Sequence, residues 1–274
     1  MVDTIKKYLE EENIFTYGFR RIKECIINKK YLLERADIND GFVVIFAIPY
    51  YSKVNEGKNI SSYAVPRDYH LFINELGARI IPKLKEKFKN TNFAMFADHS
   101  PIDERDCALK AGIGIMGKNG LIITEKYSSY VFLAELFVGA PLDDTESTAT
   151  EIRLCENCGL CTKSCPAVNG ECLSAITQKK GLLTDAEKEL IKAYGAWGCD
   201  ICSEVCPHTK KAIADGTIYS PIRFFNESLI PSLTKELVES MSDEEFKKRA
   251  YSWRGKETIL RNLEIIEEKN ARRK

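Results

Sequence analysis

The 274-residue sequence has no net charge to offer, its forty Lys and Arg balancing forty Asp and Glu. Without a global basic field, nothing draws the chain non-specifically to nucleic acid or an anionic membrane, so any such partner must meet a local patch. Long apolar runs are missing too. The longest, Phe42 to Tyr51 and Tyr130 to Pro141, carry polar or small interruptions and fall far short of the roughly 20 residues of a membrane helix. The first ten residues, MVDTIKKYLE, are charged and helical in pattern with no signal-peptide core behind them, and no repeat of solenoid period recurs. These absences lead to the expectation of a cytoplasmic protein with no membrane partner. A monomer is expected. With 44% hydrophobic residues the chain has enough apolar material for folded cores, which excludes a disordered chain.

What is abundant is cysteine: ten residues, eight of them between Cys155 and Cys206. In a reducing compartment such a cluster points to metal ligation or redox chemistry before disulfides. The first block, Cys155-x-x-Cys158-x-x-Cys161-x-x-x-Cys165-Pro166, has the bacterial ferredoxin spacing, in which three close thiolates hold one 4Fe-4S cluster and the fourth ligates another. The second, Cys199-x-x-Cys202-x-x-x-Cys206-Pro207, is preceded by Cys172. Crossing the last cysteines assigns Cys155, Cys158, Cys161 and Cys206 to one cluster and Cys172, Cys199, Cys202 and Cys165 to the other. Zinc ribbons also use C-x-x-C pairs, but they do not usually carry the C-x-x-C-x-x-C-x-x-x-C-P run. Cys25 and Cys107, outside the cluster, read as small buried hydrophobes.

The remaining pattern is α+β. Gly41 to Pro49 reads as a buried strand, residues 69 to 89 as an amphipathic helix containing Pro82, 92 to 97 as a strand, 102 to 111 as a helix, and 121 to 124 and 130 to 136 as two further strands. The polar stretch 142 to 151 reads as a linker. Beyond Cys206, residues 233 to 241 and 246 to 266 read as helices, with a capping box at Ser242 to Glu245 and a charged tail from Glu267 that frays. Three segments are expected: 1–145 as a mixed-sheet domain, 150–212 as the ferredoxin-like domain, and 213–274 as C-terminal helices.

Gly112-Ile-Gly114-Ile-Met-Gly117 matches the dinucleotide fingerprint by letter. It lies after a helix and before a strand, the reverse of what a pyrophosphate site requires. These glycines read instead as positions where backbone lies close to a flat cofactor or to the cluster domain. Upstream, Asp98 follows a strand end and reads either as an N-cap or as a general acid.

The run Asp98 to Asn119, DHSPIDERDCALKAGIGIMGKN, resembles the epoxyqueuosine reductase family. So do Tyr127 to Leu136, the double ferredoxin block, and Arg254 to Leu263, RGKETILRNL, in the same order. The resemblance implies a cobalamin-binding N-terminal domain beside two 4Fe-4S clusters. It implies reduction of the epoxide of epoxyqueuosine in tRNA to the alkene of queuosine, with electrons passed singly through the clusters to the corrinoid. Asp98 falls on the family's general-acid position and Arg105 on its motif arginine, and Gly114, Gly117, Lys118 and Asn119 are the residues implied to contact cobalamin. His99, Ser100, Ile115 and His208 depart from the family's usual residues, the segment between Cys165 and Cys172 is compressed, and the appended helical-repeat region of longer members is missing. An external low-potential electron donor is implied as a partner. For tRNA, residues 246 to 262 supply Lys247, Lys248, Arg249, Arg254, Lys256 and Arg261 with Tyr251 and Trp253. Two other readings share these residues: a corrinoid and iron-sulfur reductase of a smaller substrate, and a non-catalytic electron carrier or corrinoid activator.

Overall fold

The computed structural model describes residues 1–54, 57–167 and 170–271. The chain forms two compact units, each assembled from separate segments: residues 1–50, 70–158 and 211–222 in the first, and 51–69, 159–210 and 223–274 in the second.

The first unit contains α1 (Val2–Glu11), β1 (Thr16–Arg21), α2 (Lys30–Arg35), β2 (Phe42–Pro49), α3 (Tyr69–Lys87), β3 (Phe93–Phe96), α4 (Glu104–Lys110), β4 (Ile115–Met116), β5 (Ile122–Ile123) and β6 (Val131–Val138). Its main sheet has the order β1-β2-β6-β3, and β4 and β5 form a separate hairpin. Every neighbouring pair in the main sheet is antiparallel, so the expected mixed sheet is corrected. The reason is topological. β2 and β3 run in the same direction, as a strand-helix-strand unit should, but β6 inserts between them and pairs antiparallel with both.

β2 is buried at all eight positions, which requires cover on both faces. Val43, Ile45 and Ala47 pack with Phe137 against Cys107, Ala108 and Ala111 on the α4 side. On the opposite face Phe42 packs on Phe19, whose ring lies under Lys6 of α1, and Gly77 of α3 lies against Met95 of β3. Gly18 is a glycine because a Cβ there would stand 2.3 Å from the Ala111 carbonyl oxygen.

The polar stretch 142–151 is not a free linker. Thr148 Oγ1 accepts from the Phe19 N–H at 2.8 Å and donates to the Ala111 carbonyl at 2.9 Å, and the Thr150 N–H donates to Lys110 O. Its polarity serves backbone groups at the sheet edge and the end of α4.

The second unit contains α5 (Leu160–Ser164), α6 (Leu173–Thr177), α7 (Asp185–Tyr194), α8 (Ile201–Glu204), α9 (Pro207–Ala214, through which the chain passes between units), α10 (Lys235–Ser240), α11 (Asp243–Lys247) and α12 (Lys256–Ala271). The capping box expected at Ser242 is present at the start of α11. The helix expected over 246–266 is broken, because Arg249 turns inward to donate to Ser228 O and Gly255 takes a φ of +87° before α12 begins. The tail residues 272–274, and 168–169 within the compressed segment, lie outside the described residues. No described helix is long and apolar enough to cross a membrane.

Trp197 and Tyr251, both fully buried, meet edge to face in the second unit's core. Beside them Asn262, also fully buried, donates to the Thr177 and Ala196 carbonyls at 2.7 and 2.8 Å, tying α12 to the ends of α6 and α7. Asn262→Ala leaves both carbonyls buried without donors and is expected to cost roughly 2–4 kcal/mol, read as a lowered midpoint in denaturant unfolding.

Candidate functional site

Asp98 is placed by the end of β3. The His99 N–H donates to the Ala97 carbonyl at 2.6 Å, and Asp98 between them has a φ of +58°. This is the rare, strained form of the three-residue γ-turn, a conformation that costs of order 1–3 kcal/mol and persists where its surroundings enforce it. The Glu104 carboxylate supplies one such constraint, accepting from the Asp98 N–H at 2.9 Å. The N-cap alternative for Asp98 is corrected: α4 is capped by Asp103, whose Oδ1 accepts from the Asp106 N–H. The Asp98 side chain is 64% exposed, and its Oδ2 stands 3.7 Å from His70 Nε2.

Asp98 lines a surface cleft of about 230 Å³ with Lys29, Ser100, Glu104 and Arg105. Arg105 is exposed on this rim, its guanidinium 3.5 Å from the Gly120 carbonyl. The His99 ring is held by Lys29 Nζ at Nδ1 (3.1 Å) and Tyr31 Oη at Nε2 (2.9 Å). Since an ammonium only donates, Nε2 carries the ring proton. His70, which nothing in the sequence singled out, is therefore the histidine that faces Asp98.

Gly114, Gly117, Lys118 and Asn119 belong to the β4-β5 hairpin. A Cβ on Gly114 would stand 2.4 Å from Ile123 O, one on Gly117 would meet Asn119 Oδ1, and Asn119 Oδ1 itself accepts from the Leu121 N–H. Hairpin closure thus accounts for both glycines, while Lys118 is exposed. Met116 of this hairpin, with Phe96, Val131 and Leu133 of the main sheet, is among the apolar residues only partly buried against the first unit's core. A flat apolar group fits residues of that kind.

All ten cysteines are free thiols. Among the described residues no three His, Cys, Asp or Glu side chains form a ready-made metal set. The donor chemistry nevertheless suits iron. Burial pushes the Cys199 thiol up to about 11, and neighbouring Cys202 and Cys172 add to the shift, so three of the four thiols expected for the second cluster lie within electrostatic reach of one another. α5, bearing Cys161, packs on α8, bearing Cys202. Between Cys199 and Cys202 the buried Asp200 carboxylate accepts from the Ser62 N–H, the Ser62 hydroxyl and Lys58 Nζ, each at 2.7 Å, and from the Ser61 hydroxyl. Lys58 also reaches Glu204 at 2.9 Å; burial works against its charge, but the two carboxylates raise its pKa. This clasp fixes the second C-x-x-C loop, and only its long-range pairing reveals it.

Cys25 and Cys107 do more than fill space, their sulfurs standing 3.8 Å apart. The Cys107 S–H and nearby Arg20 favour the Cys25 thiolate, while that contact and burial hold Cys107 as the thiol.

The basic stretch divides. Arg249 is buried, Lys248 pairs with Glu244, Lys256 donates to Met241 O, and Arg261 donates to Gly181 O. Tyr251 is core. Exposed Trp253 carries the Arg254 guanidinium 3.7 Å above its ring, with Lys247 exposed on α11. Arg254 and Arg261 line a second cleft of about 190 Å³ with Lys180, Glu257 and Thr258.

No family model matches the chain. It is 31% identical over 245 residues to the epoxyqueuosine reductase of Listeria monocytogenes, covering 82% of this chain and 63% of that one. To the epoxyqueuosine reductase of Cyclobacterium marinum it is 29% identical over 246 residues, covering 82% and 75%. The chain thus spans less than two thirds of the first relative's length. A crystal structure of epoxyqueuosine reductase with an epoxyqueuosine-modified tRNA-Tyr stem loop superposes with a TM-score of 0.73 at 24% identity, over 97% of this chain and 81% of that one, which shows a common fold. With the same enzyme recurring among its relatives and the same α+β fold beneath them, the chain belongs to the epoxyqueuosine reductase family, a family of oxidoreductases.

Proposed function

We propose that this chain reduces the epoxide of epoxyqueuosine in tRNA to the alkene of queuosine, with Asp98 as proton donor. The observation that carries the assignment of Asp98 is its place on the cleft, in a positive-φ turn at the end of β3 whose N–H is held by Glu104. Removing one oxygen from the epoxide consumes two electrons and two protons and releases water. Cobalamin, when bound, would supply the low-potential centre that meets the carbocycle, fed singly through two 4Fe-4S clusters by an external donor.

The chain's own residues divide the remaining tasks. Asp98 delivers a proton to the departing oxygen, and Arg105 on the same rim stabilises the negative charge that develops there. Gly114, Gly117, Lys118 and Asn119 are proposed to contact the corrinoid, with the half-open apolar residues Phe96, Met116, Val131 and Leu133 beside them. Cys155, Cys158, Cys161 and Cys206 hold one cluster, and Cys165, Cys172, Cys199 and Cys202 the other. In this reading residues 1–145 carry the corrinoid chemistry, 150–212 the clusters, and 213–274 the helices that meet RNA. Arg254 stacked on Trp253 offers a cation and an aromatic face to phosphate and an unstacked base.

Nucleoside analysis of epoxyqueuosine-tRNA incubated anaerobically with protein, cobalamin and a low-potential reductant tests the activity; persistence of the epoxide removes the reading. Asp98→Asn is expected to keep iron and corrinoid while turnover falls by about 100-fold or more. Cys161→Ala is expected to lower iron from about eight to about four atoms per chain, measured by elemental analysis after anaerobic reconstitution. Arg254→Ala is expected to weaken tRNA binding and reduce its salt dependence by about one phosphate contact, measured by titration at several salt concentrations.

A further inference from the structure

Glu135 lies mid-strand in β6, paired with Ile45 of β2 and Phe96 of β3, and is fully buried. It shares a strand face with Leu133 and Phe137, which pack toward α4. Neither of its carboxyl oxygens accepts a hydrogen bond from any donor among the described residues. The groups that face it are Glu104 and Cys107 of α4, with Ser100 and Asp98 of the preceding turn, and Arg20 of β1 stands beyond Cys107. β2 and β3 bring no titratable side chain. Burial first, and the Glu104 carboxyl second, push Glu135 well above the usual carboxylate range. A charge on Glu135 would stand buried beside the Glu104 carboxyl group at the start of α4, whereas one proton between the two makes a strong charge-assisted bond. Glu104 is also the group that accepts the Asp98 N–H.

We propose that Glu135 is a positioning residue for Asp98: its carboxyl group shares one proton with Glu104, and the pair holds the strained turn that presents Asp98 at the cleft. The inference rests on the reading of Asp98 as proton donor. No net proton is consumed by the pair. When the shared proton is lost as pH rises through the raised range of the pair, the two carboxylates repel, Glu104 leaves the Asp98 N–H, and the turn relaxes. Activity should therefore carry an alkaline limb set by the pair and not by Asp98 itself.

Infrared spectra of the folded protein at neutral pH are expected to contain the carbonyl band of a protonated carboxylic acid that disappears in Glu135→Gln. Because the folded Glu135 holds its proton beyond the unfolded range, the wild type loses stability as pH rises through that interval while the glutamine variant does not. Glu135→Gln should accordingly unfold at a higher temperature than wild type at neutral pH, the gap closing as pH falls to the ordinary carboxylate range. Glu135→Leu, of similar volume but without a hydrogen-bonding group, should lower kcat by about tenfold to a hundredfold at an unchanged KM for tRNA. Glutamine should restore most of that loss and remove the alkaline limb. A neutral-pH spectrum without the band, or full turnover in Glu135→Leu, would overturn the inference. If wild type fails to reduce epoxyqueuosine, the functional reading falls, and the band and the stability gap still decide whether the pair shares a proton.

Discussion

The pairing of β2 with β6 is the constraint on which the first unit depends. Eight residues of each strand meet in one antiparallel register, from Phe42 opposite Val138 to Pro49 opposite Val131, with β2 buried along its whole length. A slip of one residue would turn every β6 side chain to the other face, sending Glu135 away from α4. Because β6 also pairs with β3, the same register sets Phe96 opposite Glu135 and so determines where β3 ends. The γ-turn at Asp98 follows immediately. The position of the acid is thus inherited from a strand pair formed by residues far from it in sequence, and the sheet is stiff enough to sustain a backbone conformation that an isolated turn would abandon.

In the second unit buried polar groups take the place of a sheet. Asp200 gathers donors from the 58–62 segment, and Asn262 bridges the ends of α6 and α7 from α12. Both stand near the second C-x-x-C pair in sequence or contact. Thiols that act together need loops of fixed shape, and a satisfied polar network fixes shape more specifically than apolar packing does. The Lys58 charge is sustained by two carboxylates, and removing one of them would leave a charge poorly compensated where it is most shielded from water.

What could be read directly from the sequence was whatever depends on neighbours along the chain. The buried run 42–49, the long helix through Pro82, the cysteine spacing and the capping box at Ser242 all have local signatures, and each element is present. Around the glycine motif, the helix before it and the strand after it were both legible, and both are present. Long-range contacts had no such signature. Glu135 sits in an apolar run where a single acid reads as an exposed position, His70 looks like any helix residue, and Cys25 and Cys107 lie far apart in sequence yet meet. The antiparallel order was hidden for the same reason, since only the insertion of β6 between β2 and β3 separates it from a mixed sheet.

The neutral composition takes on a different meaning once the basic stretch is seen folded. Of its six cations, Arg249, Lys256 and Arg261 are engaged with backbone carbonyls and Lys248 with Glu244. Arg249 and Lys256 thereby pin the 248–256 break to the Ser228 and Met241 carbonyls, while Arg261 reaches from α12 to Gly181. What remains to face a polyanion is Arg254 on Trp253, with Lys247 nearby in sequence and Lys180 across the small cleft. A surface with so few cations gains little from counterion release, so recognition there has to come from stacking and shape more than from charge. For the proposed tRNA substrate that is the suited regime, because non-specific attraction to every phosphate backbone would only compete with selection of one modified base.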